Sequence, residues 1–138
     1  MNQAPQVYQF DHVALTALLA KIEDNEHPVD EALAMGEQKH IDALYRALGG
    51  SMDAAKYLHE ELLEFWYDYT IKCARTGPKT GVSSVKIQHV GMRTTKKSED
   101  LVPARAWVGA LIKVLIAIAK YGNGRPNVFQ GNEALSAM

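Results

Sequence analysis

The spacing of apolar residues changes near residue 66, and this change limits the chain to folds that combine helices with antiparallel strands. Before that point apolar residues recur every three or four positions, as in Leu15, Leu18 and Ile22. In 66–74, and again in 84–92, apolar and polar residues alternate. The first spacing is typical of an amphipathic helix, and the second of a strand with one covered face. We therefore predict helices followed by strands.

Breaker and capping residues divide the first part of the chain into three predicted helices. The first covers 11–24, because Pro28 pushes the residue before it out of the helical region. A second helix begins at Pro28 and is broken or kinked at Gly36. A glycine pair ends it, and Ser51 is the predicted N-cap of a third helix that runs to about residue 64.

The two alternating segments predict an antiparallel hairpin with one covered and one solvated face, joined by a turn at 76–81. The first-strand side chains expected on the covered face are Tyr67, Tyr69, Ile71 and Cys73. In the second strand Val85 and Ile87 share that face. We therefore expect the single cysteine, Cys73, to be buried. A short third strand is expected before Lys96.

The last helix is predicted to start near Ser98 or Asp100 and to end at Gly122. Between 106 and 119 only a glycine and Lys113 interrupt its apolar residues, and this stretch is too short to span a membrane. A helix that is apolar over most of its circumference needs cover on more than one side. We therefore expect exposed apolar surface on one chain and a homodimer with this helix near the two-fold axis.

Together these elements predict an α+β fold. One domain, 1–122, would hold three N-terminal helices, an antiparallel β-hairpin or small sheet, and a long apolar C-terminal helix packed on the sheet. A loose tail would follow at 123–138. The first ten residues lack the basic and apolar regions of a secretory signal, so we expect a cytoplasmic protein without a membrane partner.

The charges of the chain are strongly segregated. Residues 1–70 contain 13 acidic and 4 basic residues, a formal charge of −9, whereas 71–138 contain 3 acidic and 11 basic residues, or +8. No acidic residue lies between Asp68 and Glu99. The basic residues of that stretch, our candidates for binding a partner or a nucleic acid, are Lys72, Arg75, Lys79, Lys86, Arg93, Lys96 and Lys97. Asymmetry of this kind affects partners and association more than chemistry.

Two weaker patterns could indicate a metal. Glu37 and His40 have the Glu-x-x-His spacing of di-iron helix bundles, but the chain has no second copy, and surface polar residues are the better interpretation. The carboxylates that resemble the magnesium ligands of helical nucleotide pyrophosphatases are Glu23, Glu26, Glu61, Glu64 and Asp68. Because Pro28 ends the helix at the first pair, a solvated acidic face is the better interpretation here too. We expect no catalytic residue, metal or cofactor.

Part of the chain resembles a loose group of small phage- and prophage-encoded proteins of unknown function. The matching residues are Gly49-Gly50-Ser51-Met52-Asp53-Ala54-Ala55, Leu58-His59-Glu60-Glu61-Leu62-Leu63, Trp66, and Pro103-Ala104-Arg105-Ala106 with Leu111 and Leu115-Ile116-Ala117. In that group a glycine-led helix ends at a tryptophan, two strands follow, and a helix rich in alanine and leucine closes the domain. The resemblance covers about 41–119. It implies an α/β sandwich and a viral or prophage origin, but no active site.

These patterns favour a non-enzymatic phage accessory protein that inhibits or modulates a host or phage assembly by protein–protein contact. The alternative is a nucleic-acid-binding module that uses the basic hairpin 72–97. A metal-dependent nucleotide hydrolase built on the acidic helices is the third hypothesis.

Overall fold

The computed structural model describes residues 10–63, 67–89 and 95–121. Their helices and strands form an α+β fold with helices first, a three-stranded antiparallel sheet next and a long helix last. In chain order the elements are α1 (His12–Glu23), a 3₁₀ helix (Asp30–Met35), α2 (Gln38–Leu48), α3 (Met52–Leu62), β1 (Tyr67–Cys73), β2 (Ser83–His89), β3 (Thr95–Asp100) and α4 (Pro103–Tyr121). The predicted fold class is confirmed. The predicted tail lies outside the described residues.

Capping side chains fix where the helices begin. The carboxylate of Asp11 accepts a hydrogen bond from the backbone N–H of Val13 at 2.9 Å, and the Ser51 hydroxyl accepts one from Ala54 N–H at 3.1 Å. The predicted break at Gly36 is confirmed, because this residue has a φ of 87° that favours glycine. The segment between Pro28 and Gly36 forms a 3₁₀ helix, and a separate α-helix follows the glycine.

The sheet has the strand order β1-β2-β3, so β2 lies in the middle and the other two strands form its edges. In the register of β1 and β2, Tyr69 lies opposite Ile87 and Ile71 opposite Val85. In the second pair Val85 lies opposite Ser98. These side chains share one face of the sheet, which we call the inner face. The opposite, outer face carries the polar side chains that alternate with them.

The third strand lies later in the chain than predicted. It covers Thr95–Asp100, so Ser98 belongs to the strand and α4 begins only at Pro103. The carboxylate of Asp100 accepts a hydrogen bond from Val102 N–H at 2.9 Å, which fixes the corner between the two elements. The residues just before Thr95, where part of the predicted strand falls, lie outside the described residues.

The last helix is the centre of the molecule. One side of α4 packs on β2 and β3, and its other sides contact α1, α2 and α3. Every residue from 104 to 115 is buried except Arg105 and Lys113. The expectation that one chain leaves much of this helix exposed is therefore wrong, since the N-terminal helices cover the sides that the sheet does not. Within the described residues no helix is long and apolar enough to cross a membrane.

The first strand is far less covered than the alternation predicts. Tyr67 is buried, but Tyr69 is 39% exposed and Ile71 36% exposed, although both belong to the inner face. Cys73 is exposed, so the prediction of a buried thiol is wrong. The cause is the position of α4, which packs mainly on the β2–β3 half of the inner face. On the β1 half its Trp107 covers one side of Tyr69, with ring centroids 4.3 Å apart, and the rest stays open.

Candidate functional site

The outer face of the sheet is polar, and α4 lies on the opposite side of the strands. Across its middle row, Thr70 lies opposite Lys86 and Lys86 opposite Lys97. Like charges directly opposite each other on neighbouring strands destabilise a sheet. Lys97 approaches Glu99 at 3.8 Å, whereas no ion pair among the described residues includes Lys86. This row therefore presents positive charge to solvent.

The structure separates the predicted basic residues instead of gathering them. Lys72, Lys86 and Lys97 belong to the outer face, Arg75 and Lys79 lie in the loop between β1 and β2, and Arg93 lies outside the described residues. Lys96 lies opposite Ile87 and so belongs to the inner face, away from its neighbour Lys97. The described members of the candidate set therefore do not form one continuous basic patch.

Lys79 of the basic set is paired with the same glutamate as Lys97. The Lys79 ammonium donates a hydrogen bond to Glu99 Oε1 at 2.9 Å, and this contact holds the pKa of Glu99 below its usual range. The pair lies at a charged cleft of about 520 Å³ beside β3 and the end of α1. Arg105 and Lys113 of α4 line the same cleft. Lys79, Arg105 and Lys113 are all paired with other residues, so this cleft is a contact between elements of the fold and not a free basic patch.

At this cleft the polar residues of α4 join the helix to β3 and to α1. Arg105 donates hydrogen bonds to Asp100 Oδ2 at 3.3 Å and to the carbonyl of Ile22 at 2.9 Å. One turn further on, Gly109 lets the helix approach β3 so closely that an added Cβ would lie 3.0 Å from Cβ of Ser98 and closer still to its hydroxyl. After another turn, the Lys113 ammonium donates to the carbonyl of Lys97 at 2.7 Å.

The outward side of β1 is one of the sheet's two edges, and no strand of the described residues pairs with it, so we call it the free edge of β1. Ala74 N–H donates to the carbonyl of Val82 at 3.0 Å, so the peptide groups of Ala74 point towards the strand after the turn. Because successive peptide groups along a strand point to opposite sides, those of Tyr69 and Ile71 point away from β2. The carbonyl of Tyr67 fits this assignment, since its partner is His59 of α3 instead of a residue of β2.

His59 ties the start of this edge to the core. The indole N–H of Trp107 can only donate, and it lies 3.3 Å from Nδ1 of His59. Nδ1 is therefore the acceptor, and Nε2 carries the proton that it donates to the carbonyl of Tyr67 at 3.0 Å. The ring of Tyr69 packs edge-on against His59, with centroids 5.0 Å apart. Burial lowers the pKa of His59, outweighing the Tyr67 carbonyl, Glu60 and Asp68, which raise it.

An open cleft of about 710 Å³ lies along this part of the edge. It is lined by His59, Glu60, Leu63, Tyr67, Asp68, Tyr69 and Thr70. Its two charged side chains, Glu60 and Asp68, are both acidic, and neither belongs to an ion pair among the described residues. The cleft therefore combines negative charge with backbone groups that face no other strand in the described part of the chain.

The metal patterns take other roles in the structure. His40 is fully buried, so the interpretation of Glu37 and His40 as surface polar residues is wrong for the histidine. Nε2 of His40 lies 3.3 Å from Glu61 Oε1, and Lys39 lies 3.2 Å from the same oxygen. These hydrogen bonds, chiefly that of His40, hold the pKa of Glu61 below its usual range.

Two other acidic residues of those patterns, Glu23 and Glu26, lie in ion pairs, whereas Asp68 belongs to none among the described residues. Glu23 pairs with Lys113 at 3.7 Å and Glu26 with Lys21 at 3.1 Å, while Glu64 lies outside the described residues. In the described part of the chain no three histidine, cysteine or acidic side chains are grouped closely enough to hold a metal.

Comparisons of the chain with models of known protein families, with curated proteins and with solved structures found no significant match. Sequence reasoning missed the role of His59, because its partners Trp107 and Tyr67 are recognised only once the strands and α4 are placed.

Proposed function

We propose that this protein acts by protein–protein contact and that the free edge of β1 is its contact surface. The observation that carries the proposal is the exposure of Tyr69 and Ile71 beside peptide groups that point away from the sheet. Proteins usually cover or shorten such edges, because an uncovered edge accepts another strand. A strand added there would gain main-chain hydrogen bonds, and it would place apolar side chains on the uncovered half of the inner face.

The partners we propose are a second copy of the chain and a protein of the host or of a phage. The second part of this proposal joins the phage or prophage origin that the resemblance implies to the segregated charges of the chain. The protein would then be an accessory protein in the host cytoplasm that modulates or inhibits an assembly. The segregated charges of the two halves support a binding role, because they favour association with oppositely charged surfaces.

The edge is tested by comparing partner capture for wild type, Ile71→Pro and Thr95→Lys. Proline at 71 removes an outward N–H and an apolar side chain while sparing the inward peptide groups, and proline is tolerated at sheet edges. The control adds a charge to the outer face of β3. A captured protein is then purified and its affinity measured by calorimetry. We expect Ile71→Pro to weaken binding at least about tenfold and the control to preserve it. Equal affinity for all three would contradict the edge.

The second candidate function is nucleic-acid binding by the outer face. The opposed lysines Lys86 and Lys97 support it, because a phosphate between them would relieve their repulsion. Lys97→Glu should then weaken binding of a generic duplex, whereas Lys96→Glu, on the inner face, should change it little. Fluorescence anisotropy with DNA and RNA over a salt series measures both. Absence of binding at low salt, or equal loss in both variants, would eliminate this candidate.

A further inference from the structure

We propose that the occupant of this edge is a second copy of the chain, whose β1 pairs antiparallel with the first β1 about a two-fold axis at Thr70. The two sheets then join into a single sheet of six strands. This inference rests on the proposed function, because it names which partner the edge takes. It also moves the expected homodimer from α4, which one chain buries, to β1, which one chain leaves open.

The backbone of β1 has the correct phase for this pairing. With the axis at Thr70, Tyr69 of each copy lies opposite Ile71 of the other. The peptide groups of both residues point away from β2, so each of these pairs exchanges two hydrogen bonds, about four in all. Thr70 faces its own copy as a non-hydrogen-bonded pair, the closer kind of pair. The carbonyl of Tyr67 keeps its bond from His59.

The charges select this register among those that the backbone allows. About Thr70, each Asp68 lies opposite Lys72 of the other copy, so the interface gains two opposite-charge pairs on the outer face. An axis at Asp68 or at Lys72 would place that residue against itself. An axis at Tyr69 would place Thr70 opposite Asp68, and an axis at Ile71 would place it opposite Lys72. In either case Asp68 and Lys72 would not lie opposite each other. Only the register about Thr70 pairs both.

The acidic cleft strengthens this choice. Within one chain, no ion pair among the described residues includes Asp68, Glu60 or Lys72. In the dimer, Lys72 of the second copy enters the cleft that Asp68 and Glu60 line. The same strand also brings Ile71 of that copy beside Tyr69 on the inner face. A single interface therefore pairs the uncompensated charges and covers the exposed apolar side chains.

The charge-exchange experiment tests the register directly. Sedimentation equilibrium should give a wild-type mass of twice 15.3 kDa that falls on dilution. Asp68→Lys alone, or Lys72→Asp alone, sets like charges opposite each other at both ends and should weaken the dimer about tenfold or more. The double variant Asp68→Lys with Lys72→Asp restores both pairs and should recover the wild-type dissociation constant. Thr95→Lys, on the outer face of β3, is the matched control and should leave it unchanged.

A disulfide at the axis tests the geometry independently. Non-hydrogen-bonded pairs have Cα atoms about 4.5 Å apart, within the range that a disulfide bridges. In a Cys73→Ser background and a buffer of oxidised and reduced glutathione, Thr70→Cys should therefore form a cross-linked dimer at least about tenfold faster than Thr95→Cys. Oxidised glutathione takes up the two electrons and is released as two thiols. A rate equal to that of the control would overturn the proposed axis.

Other outcomes separate this inference from the function on which it rests. A wild-type mass that stays near 15.3 kDa at every concentration would overturn the inference. If a purified foreign partner still lost affinity in Ile71→Pro, the edge would remain a contact surface with another occupant. A dimer that is insensitive to both charge exchanges would also overturn the inference, since its interface would lie elsewhere. Failure of Ile71→Pro to affect any partner would refute the proposed function.

Discussion

The two halves of the sheet are built from similar alternating segments, yet one is core and the other is surface. Val85 and Ile87 of β2 are 0% and 1% exposed, whereas Ile71 and Tyr69, which lie opposite them on β1, are 36% and 39% exposed. The difference comes from α4, which packs mainly on β2 and β3 and meets β1 through Trp107, whose ring centroid lies 4.3 Å from that of Tyr69. Alternation thus shows which side chains share a face, but not how much of that face another element covers.

The largest expected effect comes from placing the same charge in each half. Ile87→Asp would bury an unpaired carboxylate beneath α4 and should lower the free energy of unfolding by more than about 4 kcal/mol, a large fraction of the roughly 5–15 kcal/mol typical of native proteins. Ile71→Asp leaves its carboxylate in contact with water and should cost about 1 kcal/mol or less. Urea denaturation followed by circular dichroism measures both, at a concentration low enough to keep the chain monomeric.

The sequence alone predicts equal losses at these two positions, because they share a face. Thr70→Asp on the outer face is the control and should be tolerated. If Ile71→Asp were as damaging as Ile87→Asp, the β1 half of the inner face would be covered, and the contact surface proposed for this edge would be contradicted.

Local signals in the sequence predicted much of the fold. Ser51 caps a helix and Gly36 breaks one, as the sequence predicts. Each effect depends only on the residue's own backbone or on its near neighbours in the chain. The alternation also predicted that Val85 and Ile87 share the buried face. These features depend on interactions within a few residues, which a sequence displays directly.

Features that depend on distant contacts were not predictable in the same way. The burial of Cys73 was misjudged because no local signal tells an edge strand from a central one. Lys96 and Lys97 belong to one set of binding candidates, yet adjacent residues of a strand project to opposite faces. The contact between His59 and Trp107 joins residues 48 positions apart, so it emerges only after α4 packs.

A smaller loss of stability is expected from a substitution on the covered half of the sheet, where α4 and β3 are in contact. Gly109→Ala adds a methyl group against Ser98 and should cost about 1–2 kcal/mol, despite the better helix propensity of alanine. Ser98→Gly removes the opposing side chain, so the double variant should recover most of this loss. Thermal and urea unfolding of the four proteins form a double-mutant cycle. Additive losses would show that the two residues do not meet.

The smallest effect concerns His59, which ties the otherwise open β1 half to the core. Burial lowers the pKa of its imidazole, so the unfolded chain binds this proton more readily than the folded chain does. Stability from this group is therefore present above the unfolded pKa, about 6.5, and is lost as the pH falls below that value. Protonation of Nδ1 would also remove the acceptor for the indole N–H of Trp107. The loss of stability on protonation should be smaller than the losses caused by Ile87→Asp and by Gly109→Ala.

The variant His59→Gln distinguishes the proton that His59 binds from the protons that the other titrating groups bind. His59→Gln offers an amide donor and a carbonyl acceptor but does not titrate, so the fall in stability between pH 7 and pH 5 should be shallower than in wild type. His12→Gln, at an exposed position in α1, should leave the slope unchanged. The pKa of Glu61 is also lowered, chiefly by its hydrogen bond with His40, but its contribution is lost only below about pH 4.5 and so falls outside this window. Urea midpoints at half-unit pH steps measure the slopes. Identical slopes for wild type and His59→Gln would mean that the imidazole titrates as it does in the unfolded chain, and that the start of β1 is as open to water as its end.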